Sequence, residues 1–443
     1  MAQPLTMVRI ASLGAVALLL LLALGAAAAP WLMPADDAMA CRIAAGAIFV
    51  GSYLALAVGK VPGLAIDRAG VALVGACLMV ACGAIPIEDA YKAIDLDTLT
   101  LLLGMMIVVA NLRLSGFFAL ANAWVMRRAH RPLTLLAGVV AVSGVFSAFL
   151  VNDAICLVLA PLVAELAVTL RRNPVPYLLG VAMASNVGST ATITGNPQNI
   201  MIGSLSHVPY GAFAAALAPV ALVGLVLTVA LLALLYPVEF RGRARLDPPA
   251  VRIRSNQPLV IRALVATLVV VALFFAGQPP AKAAIIVGGL LLLTRRMRSA
   301  RIYADIDWSL LLMFAGLFII VAGAERVLLT PETVAAVGRS GLERVPVLSL
   351  VTAALSNLVS NVPAVLVLKP FVTTLPDQTR AWLIVAMAST LAGNFTVLGS
   401  VANLIVVEKA ARRGVAISFR AYFRVGAPLT LITLLLGTLW LWW

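Results

Sequence analysis

Two stretches of the chain combine small polar residues with apolar flanks and resemble each other. Residues 183–203 read MASNVGSTATITGNPQNIMIG, and residues 387–407 read MASTLAGNFTVLGSVANLIVV. Aligned without gaps at an offset of 204, they agree at six of 21 positions. Gly and Pro break helices and leave backbone groups open, and amide or hydroxyl side chains beside such a break can bind small ions.

A polar motif precedes each of these stretches. The segments FLVNDAI (149–155) and LVSNVPA (358–364) each place an Asn among apolar residues, at an offset of 209. Asp153 is the only carboxylate in either motif, and a carboxylate at membrane depth is a functional hypothesis by default. We expect Asp153 to carry a coupled proton or cation, the alternative being an acceptor that caps its own helix.

The predicted substrate- and ion-binding residues share one property, since each lies in or beside one of these four polar motifs. They are Asn152, Asp153, Asn186, Ser189, Thr190, Thr192, Gly195, Asn196, Asn199, Ser360, Asn361, Asn394, Thr396, Gly399, Ser400 and Asn403. The sequence contains no P-loop, HExxH or GxSxG motif, so we expect a protein without catalytic residues or metal ligands. We expect no cofactor apart from a coupling ion, either H⁺ or Na⁺.

Several single residues admit more than one interpretation. Cys156 is either a soft ligand for trivalent arsenic or antimony or a small buried side chain. Lys369 either snorkels to the interface, attracts an anion or pairs with an acid. Arg113, Glu325 and Arg326 lie at predicted span ends and are interpreted as interfacial.

The composition indicates a polytopic helical membrane protein. The chain of 443 residues is 63% hydrophobic and 11% charged, whereas soluble domains carry about a quarter charged residues. The net charge of +14 comes from basic residues in short loops, which favours topology signals facing anionic lipid over nucleic-acid binding. The four cysteines form no CxxC pair, so no disulfide framework or metal cluster is expected.

Apolar runs and charged loops together predict the topology. The predicted spans are 10–30, 41–59, 69–86, 98–114, 177–206, 212–237, 260–277, 281–294, 307–324, 381–407 and 425–443. Stretches 132–170 and 346–375 are each split by a polar centre. With the N-terminus inside and the C-terminus outside, 24 of the 32 Lys and Arg residues lie inside and 7 outside, with Lys369 within a split stretch. This bias satisfies the positive-inside rule.

Two features of this topology leave alternatives open. Each arm of a split stretch is about 15 residues long, which favours re-entrant hairpins, but two full spans would give the same loop sides. The apolar run from Ile10 to Ala29 is interpreted as a retained helix, although a signal peptide would leave the orientation downstream unchanged.

The matched motifs divide the chain into an N-terminal helix and two copies of one unit. Residues 1–40 hold the unmatched helix, 41–237 the first copy, 238–259 a cytoplasmic linker and 260–443 the second copy. Each copy contains three spans, a hairpin, an interrupted span and a final span. Five crossings are an odd number, so the second copy inserts upside down, as in inverted-repeat secondary transporters.

At these residues the chain resembles the ion transporter superfamily, which includes arsenical-pump membrane proteins, sodium/proton antiporters and divalent-anion/sodium symporters. The stretches most similar to arsenical-pump-type anion permeases are SGFF (115–118), NDAICLVLAP (152–161), SNVPAVLV (360–367) and LGSVANLIV (398–406). The resemblance implies an elevator or rocking motion of the hairpin-bearing part. The carboxylate symporters carry Ser-Asn-Thr at both hairpin tips, whereas positions 151–153 here read Val-Asn-Asp and 360–362 read Ser-Asn-Val.

These observations favour a secondary active transporter in a bacterial cytoplasmic membrane. Its expected cargo is a small inorganic oxyanion or its neutral acid, exported in arsenite-like fashion on the proton gradient. A sodium/proton antiporter, an anion or carboxylate symporter, and an anion channel or pore subunit with a separate ATPase remain alternatives. Expected partners are the small anion or acid and membrane lipid, without nucleic acid, and a homodimer is common in the wider superfamily.

Overall fold

The computed structural model describes residues 38–58, 66–240, 246, 256–294, 297–329 and 341–443. These residues form helices and connecting turns, without a strand among them. The expected span at 10–30 and most of the linker at 238–259 lie outside the described residues. The prediction of an all-α polytopic membrane protein is confirmed.

The first half of the described chain forms eleven helices. Eight of them come before the first break. The eleven helices are α1 Ala38–Val58, α2 Arg68–Ala81, α3 Ile87–Ala93, α4 Leu96–Ser115, α5 Phe117–Arg128, α6 Pro132–Phe149, α7 Asn152–Thr169, α8 Pro174–Ser189, α9 Pro197–Ser206, α10 Tyr210–Leu235 and the short α11 Pro237–Phe240. A 3₁₀ turn, Ile193–Gly195, separates α8 from α9.

The described residues of the second half form nine helices. They are α12 Gln257–Phe275, α13 Pro280–Leu292, α14 Ser299–Tyr303, α15 Trp308–Leu328, α16 Val345–Val359, α17 Asn361–Val372, α18 Gln378–Ala392, α19 Val401–Ala411 and α20 Phe419–Trp442. A 3₁₀ turn, Val397–Gly399, separates α18 from α19. The succession from α16 to α20 therefore repeats the succession from α6 to α10.

Eight of these helices are long and apolar enough to cross a membrane, namely α1, α4, α6, α7, α10, α12, α15 and α20. Six of them coincide with predicted spans. Helices α2 and α13, also predicted as spans, have 14 and 13 residues and fall short of a full crossing.

The arms of the two hairpins differ in length. Helices α6 and α7 have 18 residues each, against the expected 15 or so, because the helical pattern extends to the turn on both sides. They therefore measure about 27 Å, and length alone does not separate a hairpin from two crossings. Helices α16 and α17 have 15 and 12 residues, close to the expectation for a re-entrant hairpin.

The chain divides into two compact units. The first contains Met1–Leu99, Asp307–Arg344 and Leu358–Pro376, and within it α15 packs against α1, α2, α3 and α17. The second contains Thr100–Ile306, Val345–Asn357 and Asp377–Trp443. In this second unit α8 packs against α6, α7, α10 and α19, and all four half-helices of the two interrupted spans belong to it.

Candidate functional site

The interruption between α8 and α9 follows from its sequence. Helix α8 ends at Ser189, and Gly195 lies in the 3₁₀ turn that follows it. Pro197 stands at the first position of α9, where its missing N–H costs nothing. The side chain of Asn196 caps the new helix by accepting from the N–H of Asn199 at 2.8 Å. Both predicted interruptions are present, since α18 and α19 are separated in the same way.

Asn199 and Asn403 close the two interruptions in the same manner. The amide nitrogen of each donates to two backbone carbonyls that the break has released, so these carbonyls are satisfied without water. The distances are 3.1 Å to Ser189 and 3.0 Å to Thr192 for Asn199, and 2.7 Å to Gly393 and 3.1 Å to Thr396 for Asn403. These partners correspond at the offset of 204, so both Asn side chains have a structural role in holding the breaks.

Both breaks require a glycine, because neither has space for a side chain at Gly195 or Gly399. A Cβ atom at Gly195 would collide with the carbonyl oxygen of Ser189, and one at Gly399 would lie 2.8 Å from the carbonyl oxygen of Gly393. The end of each first half-helix therefore approaches the backbone of its own 3₁₀ turn closely. Only a residue without a side chain permits that approach.

Asn186 is the centre of a buried hydrogen-bond network. Its amide oxygen accepts from the Asn152 amide at 2.9 Å and the Ser400 hydroxyl at 3.1 Å. Its amide nitrogen donates to the side-chain oxygens of Asn394 at 2.9 Å and Asn403 at 3.0 Å. These four bonds use the full capacity of a carboxamide. They join the tip of the first hairpin, the first interrupted span and the second break.

Thr390, which is the counterpart of Asn186 at the offset of 204, makes the reciprocal contacts. Its hydroxyl accepts from Asn196 at 3.1 Å and lies 3.4 Å from the side-chain oxygen of Asn199. These two residues are the counterparts of two partners of Asn186. An exchange of contacts between matched positions is what a pseudo-two-fold relation between copies produces.

The tip of the first hairpin lies against the first break. The N–H of Val151 donates to the carbonyl of Thr194 at 3.3 Å, and the hydroxyl of Thr192 donates to the carbonyl of Ala148. Val151 has a φ of +56°, which is an outlier for a β-branched residue, and Ser360 at the second tip has a φ of +78°. Backbone strain of this kind persists where the surroundings fix the chain, often at functional sites.

Several buried polar atoms of the second unit are unpartnered among the described residues, including two near this network. They are the side-chain oxygen of Asn152 and the hydroxyl of Tyr422, which stands on α20 and faces Asn403. Both residues are at most 3% exposed. Since buried polar groups are usually satisfied, these two atoms are available to a ligand or a water molecule.

The N-termini of α7 and α19 meet the same network. The side chains of the residues that precede these helices, Val151 and Ser400, make no capping hydrogen bond. Asn152 in the first turn of α7 and Ser400 both bond to Asn186. The positive ends of two helix dipoles favour an electron-rich ligand.

The remaining predicted residues are distributed as follows. Asp153 is half-buried in the first turn of α7. The hydroxyls of Ser189 and Thr190 return to the carbonyl of Asn186 in their own helix. Ser360 and Asn361 belong to the first unit, where Asn361 begins α17 and is buried.

Sequence reasoning missed several polar residues of the second unit. Gln198 donates to the Thr390 hydroxyl at 3.2 Å, and Asn357 in α16 donates to the carbonyl of Ala392 at 3.0 Å. Gln198 and Thr390 lie inside the two matched stretches, so the repeat itself was the signal. Cys156 is fully buried with its sulfur 2.9 Å from the Ser185 hydroxyl, and its role as a soft ligand stays a prediction.

The charged residues that are interpreted as interfacial form ion pairs, and their position at the membrane interface stays a prediction. The sequence could not show these pairs because the partners are far apart along the chain. The pairs are Arg113 with Asp305 at 2.8 Å, Arg326 with Asp89 at 2.6 Å and Lys369 with Glu325 at 3.5 Å. Of the three interpretations of Lys369, the structure therefore supports pairing with an acid.

The chain is similar to known membrane proteins in sequence and to a known transporter in fold. A family model described as CitMHS, citrate transporter, matches residues 53–392. A 46 kDa membrane protein of Mycobacterium leprae is 31% identical over 89% of this chain and 97% of its own length. The silicon efflux transporter LSI3 of Oryza sativa subsp. japonica is 30% identical over 89% of this chain and 97% of its own length. The crystal structure of the Alcanivorax borkumensis YdaH transporter matches with a TM-score of 0.58 at 15% identity, over 80% of this chain and 86% of that one, which shows a shared fold.

Proposed function

The chain belongs to the CitMHS citrate transporter family and is a multi-pass membrane transporter rather than an enzyme, and from this premise we propose that it moves a small inorganic oxyanion or its neutral acid. Transport is secondary and active, with arsenite-like efflux driven by the proton gradient. The ligand is held at the network around Asn186, with Asn152, Ser400 and the N-terminal ends of α7 and α19 as its nearest contacts.

The neutrality of the network supports a cargo of low charge. Its members are amides and hydroxyls, and the helix ends supply partial rather than full positive charge. A carboxylate carrying two or three charges requires fixed cations to offset its desolvation, whereas an undissociated acid needs only hydrogen-bond partners. The name of the rice relative, a silicon efflux transporter, agrees with a cargo of this kind.

Asp153 is the proposed proton-coupling residue. It follows Asn152 directly in the first turn of α7, so a change in its charge acts within a few ångströms of the network. Protonation on one side of the membrane and release on the other would couple the flux to the proton gradient.

A carboxylate symporter is the second candidate, and the description of the matching family model favours it. The two candidates differ in their coupling requirement. A carboxylate symporter of the Ser-Asn-Thr type needs sodium, whereas the proposed oxyanion transporter responds to a pH step without sodium.

Flux through the purified protein in proteoliposomes separates these functions. We expect saturable arsenite or silicate flux that accelerates when a pH gradient is imposed and that is indifferent to Na⁺. Sodium-dependent citrate uptake with no arsenite or silicate flux would replace this proposal by the second candidate. A conductance far above transporter turnover would replace it by a channel.

The role of Asp153 is tested by Asp153→Asn in the same vesicles. The variant should lose the acceleration by a pH gradient and keep exchange at equal pH, because the carboxamide cannot release a proton. Asp97→Asn is the matched control, since Asp97 is also an acid in the first turn of a membrane helix, α4, but is exposed. Wild-type pH dependence in Asp153→Asn would remove the assigned role.

A further inference from the structure

A charged pair lies within two apolar helices of the first unit. Glu325 stands one turn before the end of α15, and Lys369 stands one turn before the end of α17. The ammonium of Lys369 is 3.5 Å from a carboxylate oxygen of Glu325, and the two side chains are 33% and 27% exposed. Ionisable residues inside apolar membrane segments are costly, so a pair of this kind indicates a function.

The contact between the two groups is loose. The distance of 3.5 Å exceeds the 2.7–2.9 Å or so of a charge-assisted hydrogen bond. The carboxylate oxygen that faces Lys369 is itself buried and accepts no hydrogen bond from the described residues. A carboxylate in this setting must be neutralised, and either the ammonium or a bound proton can do so.

Two uncharged side chains from neighbouring helices lie near this end of α15. From α1, Tyr53 faces Glu325 and donates its hydroxyl to the carbonyl of Pro363 in α17 at 3.4 Å. From α2, the apolar Met79 lies beside Gly323. These neighbours enclose Glu325 without changing its charge.

The adjacent cation, Arg326, is already committed. Its guanidinium bonds to Asp89 in α3 at 2.6 Å, and this contact together with Lys92 holds the pKa of Asp89 below its usual value. Lys92 itself lies 3.6 Å from Asp89. Among the described residues facing Glu325, Lys369 is therefore the cation that depends on it.

The pair has no counterpart in the first copy of the repeat. At the offset of 209 that relates the two hairpins, Lys369 corresponds to Ala160. A residue needed only to build the hairpin would be expected in both copies. Its presence in one copy suits a single binding event in each transport cycle.

We propose that Glu325 is a second proton-binding site and that its protonation frees Lys369 to bind a small oxyanion. The proton bonds to the carboxylate oxygen, the ammonium stays charged, and the anion takes the place of the carboxylate as its counter-ion. The proton offsets one negative charge of the anion, so a singly charged oxyanion binds without net change in charge and sulfate adds one negative charge. The place of this site on the transport path rests on the proposed function.

Sulfate binding to the purified full-length protein, followed as a rise in melting temperature, tests the site without any flux measurement. The wild type should bind sulfate about tenfold more tightly at about pH 5 than at about pH 8, because the carboxylate competes at the higher pH. Glu325→Gln should bind it equally at both values, and more tightly than the wild type at about pH 8. Lys369→Met should lose the effect at both.

Two further variants make the result decisive. Glu165→Gln is the matched control, because Glu165 also lies on a hairpin return arm and pairs with a base, Arg413 at 2.9 Å, but is 67% exposed; it should behave as the wild type. The double variant Glu325→Gln/Lys369→Met leaves no unpaired charge and should fold even where a single variant does not, and it should not bind sulfate. Wild-type pH dependence in Glu325→Gln, or sulfate binding in the double variant, would overturn the proposal. A lack of arsenite and silicate flux would instead overturn the proposed function and leave this test standing.

Discussion

Asn186 has no spare hydrogen-bonding capacity, and this separates the residues that hold the site from those that face a ligand. Asn186, Asn199 and Asn403 have their amide groups engaged with protein partners. Asn152 keeps an open side-chain oxygen. Ligand selectivity should therefore depend more on Asn152 than on Asn186, although both were predicted from the same type of motif.

Substitution of Asn186 by Ala should be among the more damaging single changes in the second unit. It leaves four buried polar groups without a partner, and we expect a loss of about 2–4 kcal/mol in the free energy of unfolding. Thermal unfolding in detergent measures this loss. Asn111→Ala is the control, because Asn111 is equally buried but makes one bond, to the carbonyl of Ile107 at 2.8 Å, and should cost about 1 kcal/mol. Equal losses in the two variants would contradict the central position of Asn186.

Among the elements, the two breaks impose the strictest demand on residue type. Gly195→Ala should lower the free energy of unfolding by about 1–3 kcal/mol, because the added methyl group meets the carbonyl of Ser189. Gly289→Ala in α13 should have the opposite sign, since no atom lies within 4 Å of the added group and Ala stabilises a helix over Gly by about 0.5–1 kcal/mol. The melting temperatures of the two variants should therefore change in opposite directions. An unchanged melting temperature in Gly195→Ala would show that the break has room for a methyl group.

The hairpin tips allow a stabilising substitution. Ser360 adopts φ +78° and ψ +159°, a region that is almost confined to glycine, so Ser360→Gly should raise the free energy of unfolding by about 1 kcal/mol. The control is Ser309→Gly in helix α15, which should lower it by about 0.5–1 kcal/mol. A fall in melting temperature for Ser360→Gly would mean that its side chain contributes more than the strain costs.

The breaks and the hairpin turns could be predicted from the sequence, because Gly195, Pro197 and Asn152 interrupt an apolar pattern in a way that few structures accommodate. The hydrogen-bond partners across the network could not be predicted from the sequence. The hydrogen bond from Asn186 to Asn394 and the pairing of Lys369 with Glu325 depend on distances that a linear pattern does not contain. Arm lengths were underestimated for the first hairpin because residues beside a polar tip still extend the helix.

For the whole molecule, the distribution of basic residues predicts the orientation. A fluorescent protein fused after Trp443 should stay dark and a phosphatase fused there should be active, because the positive-inside rule places the C-terminus outside. A fluorescent fusion to a chain truncated after residue 258 should be bright, since the linker is predicted to be cytoplasmic. A bright fusion after Trp443 would contradict the predicted orientation.

Thr390 and Asn186 occupy matched positions but differ in bonding strength, and this inequality reaches beyond local stability. Both sets of contacts are present in the same form of the protein. If the two copies exchange conformations during a transport cycle, both sets must break and form again at each exchange. Because Asn186 makes more bonds than Thr390, a substitution at Asn186 should change the rate of that exchange more than a substitution at Thr390.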